Sequence, residues 1–306
     1  MTQFLRRALS VAATASQAKI VLAVWLTLTG RVAVGLADWF RLSFVLVLLV
    51  TSLLLLATKP AATKSRALGR VMALLGAGLS LRLVLPTEYR DIWVAIHPEA
   101  FIAAGVLDFA GTFAGGQVRA AWAGSALVWG LFDSAAHVVI ALGASLGWTP
   151  LERLFAIIPN KDWIPAYLLA LLSLLPLLRA LGSSQGAERR QLQLFMRGLA
   201  IGASPFALIL PAAALVPSFN IWLSLPAVQP YFLAVTYPFL MVFPLTATYS
   251  VLYQGALDYQ SALRRAVQYG LARYTLLSFI ALPLALGVVL LYVNRAEPLG
   301  NLLSGW

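Results

Sequence analysis

Segments of roughly 17 to 28 mostly apolar residues, separated by short basic or aromatic stretches, recur along the whole chain. A membrane-crossing helix needs about 20 such residues, because about 30 Å of hydrocarbon is crossed at 1.5 Å per residue. On that criterion nine segments qualify: 20–37, 42–58, 68–86, 99–115, 120–147, 163–179, 191–214, 228–252 and 270–293. The first carries Arg31 inside it and can alternatively lie along the interface, leaving eight. Only 11% of the residues are charged and the mean hydropathy is +0.85, whereas soluble domains carry about 25% charged residues. The expected fold is therefore all-α, a polytopic transmembrane helix bundle of about nine spans.

The basic residues give this bundle a direction. Those at Arg6/Arg7/Lys19, Lys59/Lys64/Arg66/Arg70, Arg119, Arg179/Arg189/Arg190/Arg197 and Arg264/Arg265/Arg273 alternate with segments that hold only Arg41, Arg90, Arg153/Lys161 and Arg295. Short positive loops stay in the cytoplasm, so the N-terminus is expected inside and the carboxyl end, 294–306, outside. In that topology no cytoplasmic domain can directly follow residue 306 unless a further span intervenes. Arg189, Arg190, Arg264 and Arg265 are read as anchors facing lipid headgroups.

The net charge of +11 does not indicate nucleic acid, since the cations flank apolar spans and never form a run of five. The chain has no cysteine, which excludes disulfides and thiolate metal sites. The N-terminal MTQFLRRALSVAATASQ has too short and too polar an apolar part for a signal peptide and reads as an uncleaved cytoplasmic segment. The segments 87–98 and 148–162 read as external loops, with Tyr89, Trp93, Trp148 and Trp163 as interface rings.

Ionisable groups at membrane depth are costly and usually functional, which singles out Asp108, Asp133 and His137. Asp133 and His137 are four residues apart and share a helical face. Arg31, Arg41 and Arg82 are the expected counter-charges. His97 precedes Pro98 and falls in an expected external loop, so neither it nor the intraspan His137 can be a kinase phosphoacceptor; no metal site is assigned and the cofactor is left open. Pro238 and Pro244 fall inside the 228–252 span and are expected to kink it. Gly76-Ala-Gly78 and Gly115-Gly116 read as close-packing or turn signals.

The sequence divides at about residue 162. In the part 163–306, Trp163-Ile-Pro-Ala-Tyr-Leu-Leu-Ala-Leu-Leu precedes Glu188-Arg-Arg-Gln-Leu-Gln-Leu-Phe-Met-Arg-Gly-Leu-Ala-Ile-Gly202. After a proline-rich span comes Leu257-Asp-Tyr-Gln-Ser-Ala-Leu-Arg-Arg-Ala-Val-Gln-Tyr-Gly270. This order resembles the multi-span N-terminal sensor region of certain bacterial histidine kinases and of related PP2C-type phosphatases. The family's Arg-Tyr-Arg-Leu run before the Asp is replaced here by Tyr253-Gln-Gly-Ala, and residues 1–162 carry no such resemblance. The resemblance implies a bacterial plasma-membrane module that passes a change in helix arrangement to an output domain or partner. The physical reading of the same residues is plainer. Glu188 complements the positive end of a helix, and 257–269 forms an amphipathic juxtamembrane helix.

No Walker lysine, His-Glu-Xaa-Xaa-His or paired-carboxylate motif occurs, and a kinase's phosphoacceptor and ATP-binding regions are missing from the sequence. A non-enzymatic sensory or ligand-binding module is therefore expected, with the lipid bilayer and other membrane chains or a second copy as partners. The rivals are a structural subunit of a membrane complex and a transporter, the latter without the internal symmetry such folds show.

Overall fold

The first helix is organised by a seam. In the computed structural model, which describes residues 3–30, 35–58, 63–84, 89–113, 120–151, 153, 174–223, 225 and 228–255, α1 spans Gln3–Leu28 and buries Leu5, Leu9, Ala12, Ser16, Lys19, Ala23 and Leu26. Their spacing alternates between four and three residues, which keeps one stripe of an α-helix against its neighbours. Small side chains at Ala12, Ser16 and Ala23 let those neighbours approach. The helix thus begins well before the expected span at 20–37. The N-terminal segment is the first half of a continuous helix, and Arg31 lies outside the described residues.

Every element among the described residues is helical. After α1 come α2 (Leu36–Leu56), α3 (Thr63–Val84), the short α4 (Arg90–Ala95), a 3-10 turn (Pro98–Phe101), α5 (Ile102–Phe113) and α6 (Ala120–Ser145). The second half has α7 (Leu175–Ser183), α8 (Gly186–Leu215), α9 (Pro217–Leu223) and α10 (Gln229–Gly255). Among the described residues, five segments are long and apolar enough to cross a membrane: Gln3–Leu28, Asp38–Leu56, Asp91–Thr112, Trp122–Ser145 and Pro230–Leu252. The expected spans at 163–179 and 270–293 lie wholly or mostly outside the described residues, as do Gly115, Gly116, Arg264 and Arg265.

α3 and α8 are long enough to cross but carry more charge, α3 at Lys64, Arg66, Arg70 and Arg82 and α8 at Glu188, Arg189, Arg190 and Arg197. α3 packs against α1, α2 and α5 and buries Leu68, Met72, Leu74 and Leu83 completely; of its cations, Arg70 is buried against Asp108 and Lys64 pairs with Glu188, while Arg66 is exposed. The main core continues from α2 and α3 through Phe109 to Phe195 of α8 and Tyr237 of α10. By contrast, α6 exposes Val128, Phe132, Val139 and Leu142, each more than half accessible, as a helix bordering hydrocarbon would.

The α8–α10 contact rests on two glycines one turn apart. A Cβ at Gly198 would collide with Thr246 Oγ1, and one at Gly202 would lie 2.9 Å from Phe243 Cβ. The Gly-Xaa-Xaa-Xaa-Gly spacing lets two backbones approach closely, a recurrent device where lipid supplies no hydrophobic drive between helices. Gly76 plays a similar part for α3, where a Cβ would meet Ile20 Cδ1 at 2.6 Å. Pro238 and Pro244 both lie inside α10, which remains helical through them from Gln229 to Gly255.

Candidate intramembrane polar site

The segment Asp91–Thr112 is not one helix. α4 ends at Ala95, Ile96 and His97 adopt non-helical ψ values of 96° and 66°, and the 3-10 turn restarts the coil at Pro98. Proline disfavours the helical conformation in the residue before it and removes a backbone donor, so His97-Pro98 places the break. A break frees carbonyls that must find donors if they are buried. Lys19 of α1 donates Nζ–H to the Ile96 carbonyl at 2.7 Å, and Ser134 of α6 donates its hydroxyl to the His97 carbonyl at 2.8 Å.

These two clamps assemble a charged cluster. Lys19 Nζ also lies 2.7 Å from Glu99 Oε1, with both side chains less than a tenth exposed, and 4.9 Å from the Trp93 ring centre. His97 stacks on His137 with centroids 3.9 Å apart and an interplanar angle of 13°. Its Nε2 is 3.5 Å from Asp133 Oδ2 and its Nδ1 is 3.9 Å from Glu99 Oε1. His137 Nδ1 is 2.9 Å from the Asp133 carbonyl oxygen and 3.6 Å from Asp133 Oδ1. Because a carbonyl only accepts, this contact is a hydrogen bond in the tautomer that carries the proton on Nδ1. One candidate ligand atom from each of His97, Asp133 and His137 falls within 4.8 Å of the others.

Asp133 lies near the middle of the 26-residue α6, and Lys19 lies within α1, about 20 Å along the axis from Arg6 at 1.5 Å per residue. The cluster therefore sits within the length of two helices able to span a membrane. His97 is buried and is not in an exposed loop, which corrects the expectation for 87–98. Trp93 is likewise no interface ring, since it is buried with Ala23, Leu26, Leu42 and Leu83.

Asp108 belongs to a different pairing. Arg70 Nη2 of α3 donates to its Oδ2, with Asp108 1% exposed, and Arg6 approaches Oδ1 at 3.9 Å. The counter-charges differ from those expected. Arg41 pairs with Asp38 at 2.7 Å and donates Nε–H to the Tyr237 hydroxyl at 3.0 Å, while the Arg31 and Arg82 side chains lie outside the described ones. Lys64 and Glu188 pair at 3.2 Å, with Glu188 in the first turn of α8 and Arg189 and Arg190 exposed beside it.

Lys19, His97 and Glu99 were invisible as site residues because Lys19 counts as a flanking cation and His97-Pro98 as a loop. The available signal was the seam. Lys19 occupies the stripe position between Ser16 and Ala23, where a lysine must be buried and therefore partnered. No family model, curated protein or solved structure matches the chain.

Proposed function

We propose that the chain is a membrane-embedded sensory or ligand-binding module of a bacterial signalling protein, with the cluster at the broken helix as its sensing site. The observation that carries this reading is that both histidines of the chain, two carboxylates and a lysine converge where the α4–α5 segment is interrupted. Buried charge is weak evidence for stability, because apolar packing of similar volume is often as stable. Charge at a helix break is instead suited to a change of state, since the break's carbonyls are held by the side chains of Lys19 and Ser134. In this reading occupancy of the site alters those two clamps and tilts α4 relative to α1. The chain would cross the plasma membrane about nine times with its N-terminus in the cytoplasm. Lys19 and Arg70 leave the charge tally as buried partners, but thirteen of the fifteen cytoplasmic cations remain and the alternation persists.

The absence of cysteine makes the test direct. Spin labels on the exposed positions Val11 and Ile92, introduced as cysteines, report the α1–α4 distance in lipid nanodiscs. Asp133→Asn removes the carboxylate charge as a bound cation would neutralise it. A shifted distance distribution supports the sensory reading; superimposable distributions mark the cluster as an inert brace and refute it.

A further inference from the structure

We infer that the cluster is a divalent transition-metal site, with His97, His137 and Asp133 as ligands and Glu99 as the group that orients His97. This rests on the reading above and names the class of ligand. Three features of the side chains carry it.

The first is charge. Lys19 supplies one positive charge against the two carboxylates Glu99 and Asp133, so with neutral imidazoles these five residues together hold a net negative charge. Unbalanced charge within the length of membrane-spanning helices is costly, and a cation repairs it. Arg70 and Asp108, in contrast, already balance.

The second is donor chemistry and spacing. Two imidazoles and one carboxylate form a borderline-soft set that suits zinc, cobalt, nickel or iron, and not the all-oxygen sites of magnesium or calcium. Around an ion with bonds of about 2.1 Å, tetrahedral ligand atoms lie about 3.4 Å apart. His97 Nε2 and Asp133 Oδ2 are already 3.5 Å apart, and one nitrogen of each imidazole lies within 4.8 Å of the other and of an Asp133 carboxylate oxygen.

The third is the outer shell. Histidines that bind metals present one nitrogen and donate the other N–H to a carbonyl or carboxylate. His137 has this arrangement toward the Asp133 carbonyl, 2.9 Å from its Nδ1; with the proton on Nδ1, Nε2 would be the ligand atom. His97 turns Nε2 toward Asp133 and Nδ1 toward Glu99, which is itself held by Lys19. Glu99 Oε2 has no hydrogen-bond partner among the described residues, so the carboxylate has capacity to take the Nδ1 proton bond as the ring settles on a metal. Three protein ligands leave a fourth position for water or an exchangeable ligand.

The experiment uses the full chain, purified without a histidine tag, stripped with chelator and placed in nanodiscs. Cobalt(II) chloride is titrated while visible d–d absorption is followed, and zinc chloride is then added in competition. One cobalt per chain with four-coordinate bands that zinc displaces is the expected result. His97→Asn and His137→Asn should each abolish the bands, and Glu99→Gln should weaken binding about 10–100-fold without abolishing it. Unaltered helical circular dichroism and elution volume identify variants that remain folded. Zinc-edge X-ray absorption on the unaltered chain provides a measurement independent of any variant and should show two imidazoles and no sulfur. Bands that are missing from the folded chain, or that survive loss of either histidine, overturn the metal assignment. The Val11–Ile92 distances distinguish failure of the metal site from failure of the sensing role. If cobalt fails to bind while Asp133→Asn still shifts them, the metal is wrong and the sensing site stands; if Asp133→Asn leaves them unchanged, the sensing reading falls by itself.

Discussion

Arg70 and Asp108 show how little a charged residue's sequence position reveals about its task. Arg70 stands in a basic stretch with Lys59, Lys64 and Arg66, yet its guanidinium is buried against a carboxylate that is 1% exposed. Removing one member leaves the other charged and dry, which typically costs about 3–5 kcal/mol. Asp108→Ala and Arg70→Ala are therefore each expected to destabilise the protein by about that amount in denaturant titration. The double variant Arg70→Met/Asp108→Leu should lose much less than the sum, because it buries no lone charge. Additive losses would mean that the two groups do not act as a pair.

Among the helices, α8 and α10 make the sharpest packing prediction. Gly198 has no room for even a methyl group beside Thr246, whereas a methyl group added at Gly182, near the end of α7, would have nothing within 4 Å. Gly198→Leu should force the helices apart and lower the denaturation midpoint substantially, by the roughly 1–3 kcal/mol of an overpacked core or more. Gly182→Ala should be neutral or gain up to about 1 kcal/mol through helix propensity. Equal effects at the two positions would contradict the close approach of α8 to α10. The helical character of the chain and the apolar stretches behind its long helices were legible in the sequence, because length and hydrophobicity alone set them. The break at 96–97 was not. A His-Pro pair reads as a loop until Lys19 and Ser134, 77 and 37 residues away in sequence, are seen to satisfy its carbonyls. Asp133 and His137 were legible as neighbours because they share one helix, but their pairing with His97 depends on how α4 and α6 pack.

At the scale of the whole molecule, the positions of the ion pairs agree with a bundle that has two distinct ends. Arg6, Arg70, Asp108, Lys64 and Glu188 gather where α1, α3 and α8 begin and α5 ends. The Asp38–Arg41 pair lies at the start of α2, one interhelical connection beyond the end of α1. If α8 crosses the membrane as the charge alternation requires, its two flanks must face opposite compartments. Single cysteines at Ser184, just before α8, and at Ser218, just after it, should therefore react with a membrane-impermeant maleimide from opposite sides in oriented vesicles. Ser184 adjoins Arg189 and Arg190 and should be labelled from the cytoplasmic face, Ser218 from the outer face. The background is clean, since no native cysteine competes. Labelling of both from the same side would show that α8 folds back without crossing, and every later span would then be inverted relative to the N-terminal half.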